Sequence, residues 1–196
     1  MKKTVLIIFV MLVCFASGLF AENSKSIKRI SEGEKSAKIT IITYESLTCS
    51  HCADFHKNVY PDLKKNFIDK GLVKIEFRHF PLDIAAFNAS KIGQCNNDSN
   101  PNILNILFSG QEKWARGKTP EEATKFLKKF LEDEGVKVDF EKCLNNKAIE
   151  DYVLNDRIEG VKKFKVNATP TIIINDKKFD KALNYKNLKK YLEKLI

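Results

Sequence analysis

The chain has 196 residues and a formal net charge of +9, from 34 Lys and Arg against 25 Asp and Glu. Apolar residues make up 43% and charged residues 30%, with only 8 glycines and 5 prolines. That balance excludes a disordered chain and leaves a helix-rich globular protein of one domain, or of one domain carrying an insertion. The basic excess falls on Lys-rich helix faces such as Lys186, Lys189, Lys190 and Lys194. Tyr191, which lies among them, falls on the inward face with Leu188 and Leu192, so the excess reads as solvated surface rather than a nucleic-acid interface.

In chain order, Met1 to Ala21 comes first. Lys2 and Lys3 precede a nearly unbroken apolar run from Thr4 to Phe15, and smaller residues end in Leu19-Phe20-Ala21. This is the three-part layout of a secretory signal peptide cleaved after Ala21. The run is short for a membrane-spanning helix, which needs about 20 residues. Cys14 follows Val13 rather than the small residue that lipidation requires. Export to a compartment such as the periplasm lets disulfides persist.

Residues 22–38 are polar, with a short edge strand expected around Ile27 to Ile30. Ile39 to Tyr44 is apolar on both faces, the pattern of a buried central strand. It runs into Cys49-Ser50-His51-Cys52, read as the start of a helix. A cysteine at a helix N-terminus meets unpaired N–H groups and the positive end of the helix dipole, so the Cys49 thiolate is favoured. His51, when cationic, adds a second stabilising charge. Cys52 falls inside the first turn and is expected to be buried, with a higher pKa. One activated and one shielded sulfur are the minimum for thiol–disulfide exchange. The competing reading is a zinc site using Cys49, Cys52 and His56. It lacks a fourth ligand, since only His51 and His79 remain as histidines and no second Cys-x-x-Cys exists.

Val59, Leu63 and Phe67 continue the helix at core spacing, with a kink expected at Pro61. Val73 to Phe80 alternates with period two and reads as a strand stopped by Pro81. A β-α-β order favours a parallel pair. Helices are then predicted over Ile84 to Cys95, Pro101 to Trp114 and from Pro120. For the last, Thr119 caps, Glu122 completes a capping box, and Ala123, Phe126, Leu127, Phe130 and Leu131 form the apolar stripe up to Gly135. Asp139 to Leu144 is a short helix, and Ala148 to Phe164 a longer one with Ile149, Tyr152, Val153 and Val161 inward. Thr169 to Asn175 returns to strand, Asn175-Asp176 turns a hairpin into Lys178 and Phe179, and Tyr185 to Ile196 closes the chain as a helix.

With Cys14 removed, Cys49, Cys52, Cys95 and Cys143 remain, and four cysteines allow three pairings. If Cys49 and Cys52 form the redox pair, Cys95 and Cys143 are left. They are either bonded to each other, closing a loop of about 48 residues worth about 4 kcal/mol, or two buried thiols.

Three segments together carry a resemblance: Cys49-Ser50-His51-Cys52, Phe77-Arg78-His79-Phe80-Pro81-Leu82, and Ala168-Thr169-Pro170-Thr171. With the element order, they resemble the DsbA family of exported thiol:disulfide oxidoreductases. The implied architecture is α/β, a thioredoxin fold with an inserted all-helical domain. Residues 22–81 and 166–196 would form the thioredoxin-like part and 82–165 the insertion. The resemblance implies a cis peptide at Thr169-Pro170, packed against the redox pair and contacting substrate together with Ser50. It makes Cys49 the nucleophile and leaving group and Cys52 the resolving thiol, with reduced exported proteins as substrates. It implies a membrane oxidase of the DsbB type as reoxidising partner and no cofactor or metal.

The chain departs from the pattern in two ways. The position six residues before Cys49, acidic in many thioredoxin-fold proteins, is Thr43, with Glu45 nearby. Ser50 also replaces the commoner proline, which stiffens the loop less and points to a potential short of the family extreme. The rival redox reading is a reductase or isomerase. Isomerases of this type dimerise through an added N-terminal domain, for which Glu22 to Lys38 is too short, so a monomer is expected. A chaperone-like binding module with incidental cysteines is the remaining alternative.

Overall fold

The structure is a computed structural model that describes residues 27–96 and 101–196. The expected leader, Met1 to Ala21 with Cys14, lies outside the described residues. Five strands form one sheet in the order β1 (Ile30–Glu32), β3 (Val73–His79), β2 (Ile39–Glu45), β4 (Thr171–Ile174) and β5 (Lys177–Lys178). β2 and β3 are parallel, with Ile41 opposite Ile75 and Thr43 opposite Phe77. The other pairs are antiparallel. Central β2 is buried on both faces, as its unbroken apolar run predicts, whereas β3 alternates buried with half-buried residues.

Between β2 and β3 lie α1 (Ser50–Asn58), α2 (Tyr60–Leu63) and one π-helical turn, Lys64–Ile68. Between β3 and β4 come α3 (Ile84–Cys95), α4 (Asn102–Ser109), α5 (Gln111–Trp114), α6 (Pro120–Asp133), α7 (Phe140–Leu144) and α8 (Lys147–Phe164), and α9 (Tyr185–Leu192) follows the sheet. This is the thioredoxin fold with a helical insertion that the sequence implied.

The alternation of β2 divides the core. Ile39 and Ile41 pack in a large cluster with Phe55, Leu63, Leu107, Trp114, Leu127 and Leu188, so sheet and inserted helices share apolar contacts. Ile42 and Tyr44, one residue out of phase, face Phe80, Phe164 and Val166 in a second cluster. α8 covers that second face.

Several local expectations are revised. The edge strand begins at Ile30, where it pairs with Phe77. Arg29, just before it, donates Nη1 to both carboxylate oxygens of the buried Asp156 on α8, at 2.7 and 2.6 Å. The break near Pro61 falls at Val59, which leaves proline in the first turn of α2, where its missing N–H costs nothing. The helix expected from Pro101 to Trp114 is interrupted at Gly110. Thr119 caps α6 by accepting from the Glu122 N–H at 3.2 Å, but the Glu122 carboxylate reaches one residue further, to the Lys118 N–H at 2.8 Å. Gly135 closes α6 with a φ of 72°. On α8 the inward position is Gly160 rather than Val161, which is 46% exposed. A Cβ at 160 would lie 2.7 Å from the Tyr44 ring, so only glycine lets the helix approach that closely.

Candidate active site

The site forms where the C-terminal end of β2 turns into α1. Cys49 is the residue before the first helical turn, in extended conformation. The loop leading to it is strapped to the chain that leaves β3. The Phe80 N–H donates to the Glu45 carbonyl at 2.7 Å, the Leu82 N–H to the Ser46 hydroxyl at 3.3 Å, and the Thr48 hydroxyl to Asp83 Oδ2 at 2.7 Å. Asp83 uses its other oxygen to cap α3, accepting from the Ala86 N–H at 2.7 Å. Its carboxylate therefore ties the active-site loop to the first inserted helix.

Both cysteines are free thiols in the structure, Cys49 half-buried and Cys52 fully buried. The Cys49 thiol donates to the Thr169 carbonyl oxygen at 3.3 Å. The hydrogen bond from Cys52 does most to stabilise the Cys49 thiolate. Partial burial opposes it, while the backbone N–H groups of Cys52 and His51 add to it. Together they lower the Cys49 pKa to about 5. Cys52 moves the other way: burial pushes its thiol up, as do the hydrogen bond it gives Cys49 and the charge of Glu45. The asymmetry matches the expectation from helix position, although His51 acts here through its backbone N–H.

The Thr169-Pro170 peptide is cis. Beside it a groove of about 440 Å³ is lined by His51, Phe55, Val59, Thr169, Pro170 and Tyr185. A second cavity of about 720 Å³ lies on the other side of α1, toward the insertion, where Ser50, Lys57 and Gln111 line it. The structure thus brings Cys49, His51, Cys52, Thr169 and Pro170 together, while Ser50 faces the second cavity. Cys95 and Cys143 are joined in a disulfide between α3 and α7.

Glu45 belongs to the site as well. Period two places it on the same face of β2 as Thr43, one pleat nearer α1. It is buried, and its Oε2 lies 2.9 Å from His56 Nε2. Its Oε1 is also buried, with no hydrogen-bond partner within the protein. His56 meets Asn105 Oδ1 through Nδ1 at 3.2 Å and stacks on Phe108, with ring centroids 4.2 Å apart. Both ring nitrogens are engaged, which takes His56 out of the three-ligand zinc set. Among the described residues no group of three or more His, Cys, Asp or Glu side chains is arranged to hold a metal ion. The signal for Glu45 in the sequence is its parity with Thr43; the partner His56 was not readable, because the pairing needs the helix laid over the strand.

A thioredoxin family model matches residues 25–194, nearly the whole chain. The chain belongs to the thioredoxin family. Within this thioredoxin family its likeness is to DsbA proteins. The crystal structure of alpha-DsbA1 from Wolbachia pipientis superposes with a TM-score of 0.75 at 29% identity, covering 85% of this chain and 90% of that one. Disulfide bond formation protein D of Bacillus subtilis is 27% identical over 175 residues, 83% of this chain and 74% of that protein. A Rickettsia bellii protein provisionally named a protein-disulfide oxidoreductase is 27% identical over 150 residues, 73% of this chain and 55% of its own length. The chain thus spans about half the length of the rickettsial relatives it matches.

Proposed function

We propose that this protein is an exported thiol:disulfide oxidoreductase that donates the Cys49–Cys52 disulfide to reduced proteins outside the cytosol. The observation that carries this reading is the division of labour between the two sulfurs: a half-exposed Cys49 with a depressed pKa against the cis-proline loop, and a buried Cys52 with a raised one.

In the oxidised enzyme a substrate thiolate attacks Cys49 Sγ. The Cys49–Cys52 bond breaks, its electron pair passes to Cys52, and Cys52 takes up a proton. The charge of Glu45 opposes a thiolate at Cys52 and so favours that protonation. A second substrate thiolate then attacks the substrate sulfur of the mixed disulfide. Cys49 leaves as a thiolate, and the substrate departs with a new disulfide. A stable Cys49 thiolate is a good leaving group and favours the reduced enzyme, so the disulfide is a strong oxidant. The groove beside Pro170 receives an extended stretch of substrate, and the backbone of Thr169 pairs with it. A membrane oxidase of the DsbB type restores the disulfide, and the enzyme works as a monomer in the periplasm after loss of Met1 to Ala21. By this reading, residues 82–165 act as a helical domain that frames the site.

The deciding experiment is the reduction potential of the Cys49–Cys52 pair in equilibrium with glutathione, read together with oxidative refolding of a reduced, unfolded substrate. A value toward about −120 mV with turnover that disappears in Cys49→Ser is expected. A value near about −270 mV would reverse the direction and make the protein a reductase.

A further inference from the structure

Gln111 is the first residue of α5, 62 positions after Cys49 in the chain. It is buried, and its side-chain amide faces the redox loop. Nε2 donates to the Leu47 carbonyl at 2.8 Å and to the Cys49 carbonyl at 3.0 Å, so both of its protons are used on the segment that presents the redox cysteine. The break at Gly110 aims it there. A Cβ at 110 would lie 2.0 Å from Phe130 Cζ, so the chain passes the α6 ring only as glycine and α5 starts afresh from that point. Trp114, fully buried one turn on, locks α5 by donating its indole N–H to the Leu107 carbonyl at 2.9 Å.

The Cys49 carbonyl has other suitors. The N–H groups of Cys52 and Ala53 approach it at 3.1 and 3.2 Å. The Cys52 N–H also helps to lower the pKa of the Cys49 sulfur. A carbonyl oxygen offers two lone pairs, and each donor already on it weakens its pull on the next.

We propose that Gln111 is a positioning residue for the redox pair: by joining the Cys52 and Ala53 N–H groups on the Cys49 carbonyl it fixes the backbone that presents the Cys49 sulfur, and so lets the helical insertion set the reactivity of a thiol on the thioredoxin-like part. The inference rests on the reading of Cys49 and Cys52 as the redox pair.

The test uses reduced full chain and two variants. Gln111→Met keeps the length of the side chain and removes both donors. Gln111→Asn keeps the amide and withdraws it by one methylene, so it serves if the apolar variant fails to fold. The pH dependence of Cys49 alkylation gives the thiolate midpoint, equilibration with glutathione gives the redox constant, and thermal melting reports stability. Loss of the bond is expected to raise the Cys49 midpoint by about one pH unit and to shift the glutathione equilibrium about tenfold toward the disulfide form. Variants that melt lower but keep both the midpoint and the constant would overturn the proposal and leave Gln111 a purely structural tie. A wild-type midpoint at the ordinary thiol value of about 8.5 would instead sink the redox reading itself, and the proposal with it.

Discussion

Cys49 is worth following through pH, because its chemistry and the stability of the reduced protein share one origin. The fold lowers its pKa to about 5, so reduced protein gains stability from the thiolate. The sign follows from the depressed value. The gain is complete only above the ordinary thiol pKa, shrinks as pH falls, and is gone once pH passes below about 5. The oxidised protein has no thiol at 49 and lacks the gain at every pH. Between pH 4 and 7.5 Cys52, with its raised pKa, stays protonated in the folded chain and largely so in the unfolded one, and adds little. Reduced protein is therefore expected to melt above oxidised protein at pH 7.5, with the gap narrowing markedly at pH 4. A gap that does not change with pH would mean that the fold does not favour the Cys49 thiolate.

At the scale of elements, the break between α4 and α5 illustrates how a single contact redirects a helix. The sequence from Pro101 to Trp114 has the apolar spacing of one continuous helix, and Gly110 is a weak interruption on propensity alone. The Phe130 ring from α6 occupies the space where any side chain at 110 would sit. Gly110→Ala is expected to destabilise the protein by about 1–3 kcal/mol through overpacking, measured as a lower urea midpoint. It should also move Gln111 and raise the Cys49 midpoint. An alanine variant of unchanged stability would show that Phe130 can turn aside, and the contact would not explain the break. The α8–Tyr44 approach at Gly160 follows the same physics.

Across the whole molecule, the insertion is held to the sheet by shared core, by Asp83 and by Gln111, and it is cross-linked within itself by Cys95–Cys143. That disulfide spans 48 residues. A closed loop of this length stabilises by about 4 kcal/mol through the entropy of the unfolded chain, reduced by any structure the unfolded chain retains. The double variant Cys95→Ala/Cys143→Ala is expected to lose up to that amount in urea unfolding, with Cys49 and Cys52 held in the same redox state in both proteins. Loss of less than about 1 kcal/mol would mean that the inserted helices are already held by their apolar contacts.

Local signals were enough to read most of this protein. The unbroken apolar run of β2, the alternation of β3, the Thr119-Pro120 cap and the Asn175-Asp176 turn each report on neighbours within a few residues, and such patterns survive without knowledge of the fold. The placing of the Cys49-Cys52 pair was legible for the same reason, since strand, cysteine pair and helix start are contiguous. The Cys95–Cys143 disulfide was legible only through the assignment of Cys49 and Cys52 to each other, with two buried thiols as the alternative, because a sequence counts cysteines without measuring the distance between them. What the tertiary structure decided was everything that depends on which surfaces meet: Glu45 against His56, Gln111 on the Cys49 carbonyl, Gly160 rather than Val161 facing the sheet, and the break at Gly110. These contacts join residues far apart in the chain, and their energies come from burial and hydrogen-bond geometry that exist only once the helices are laid over the sheet.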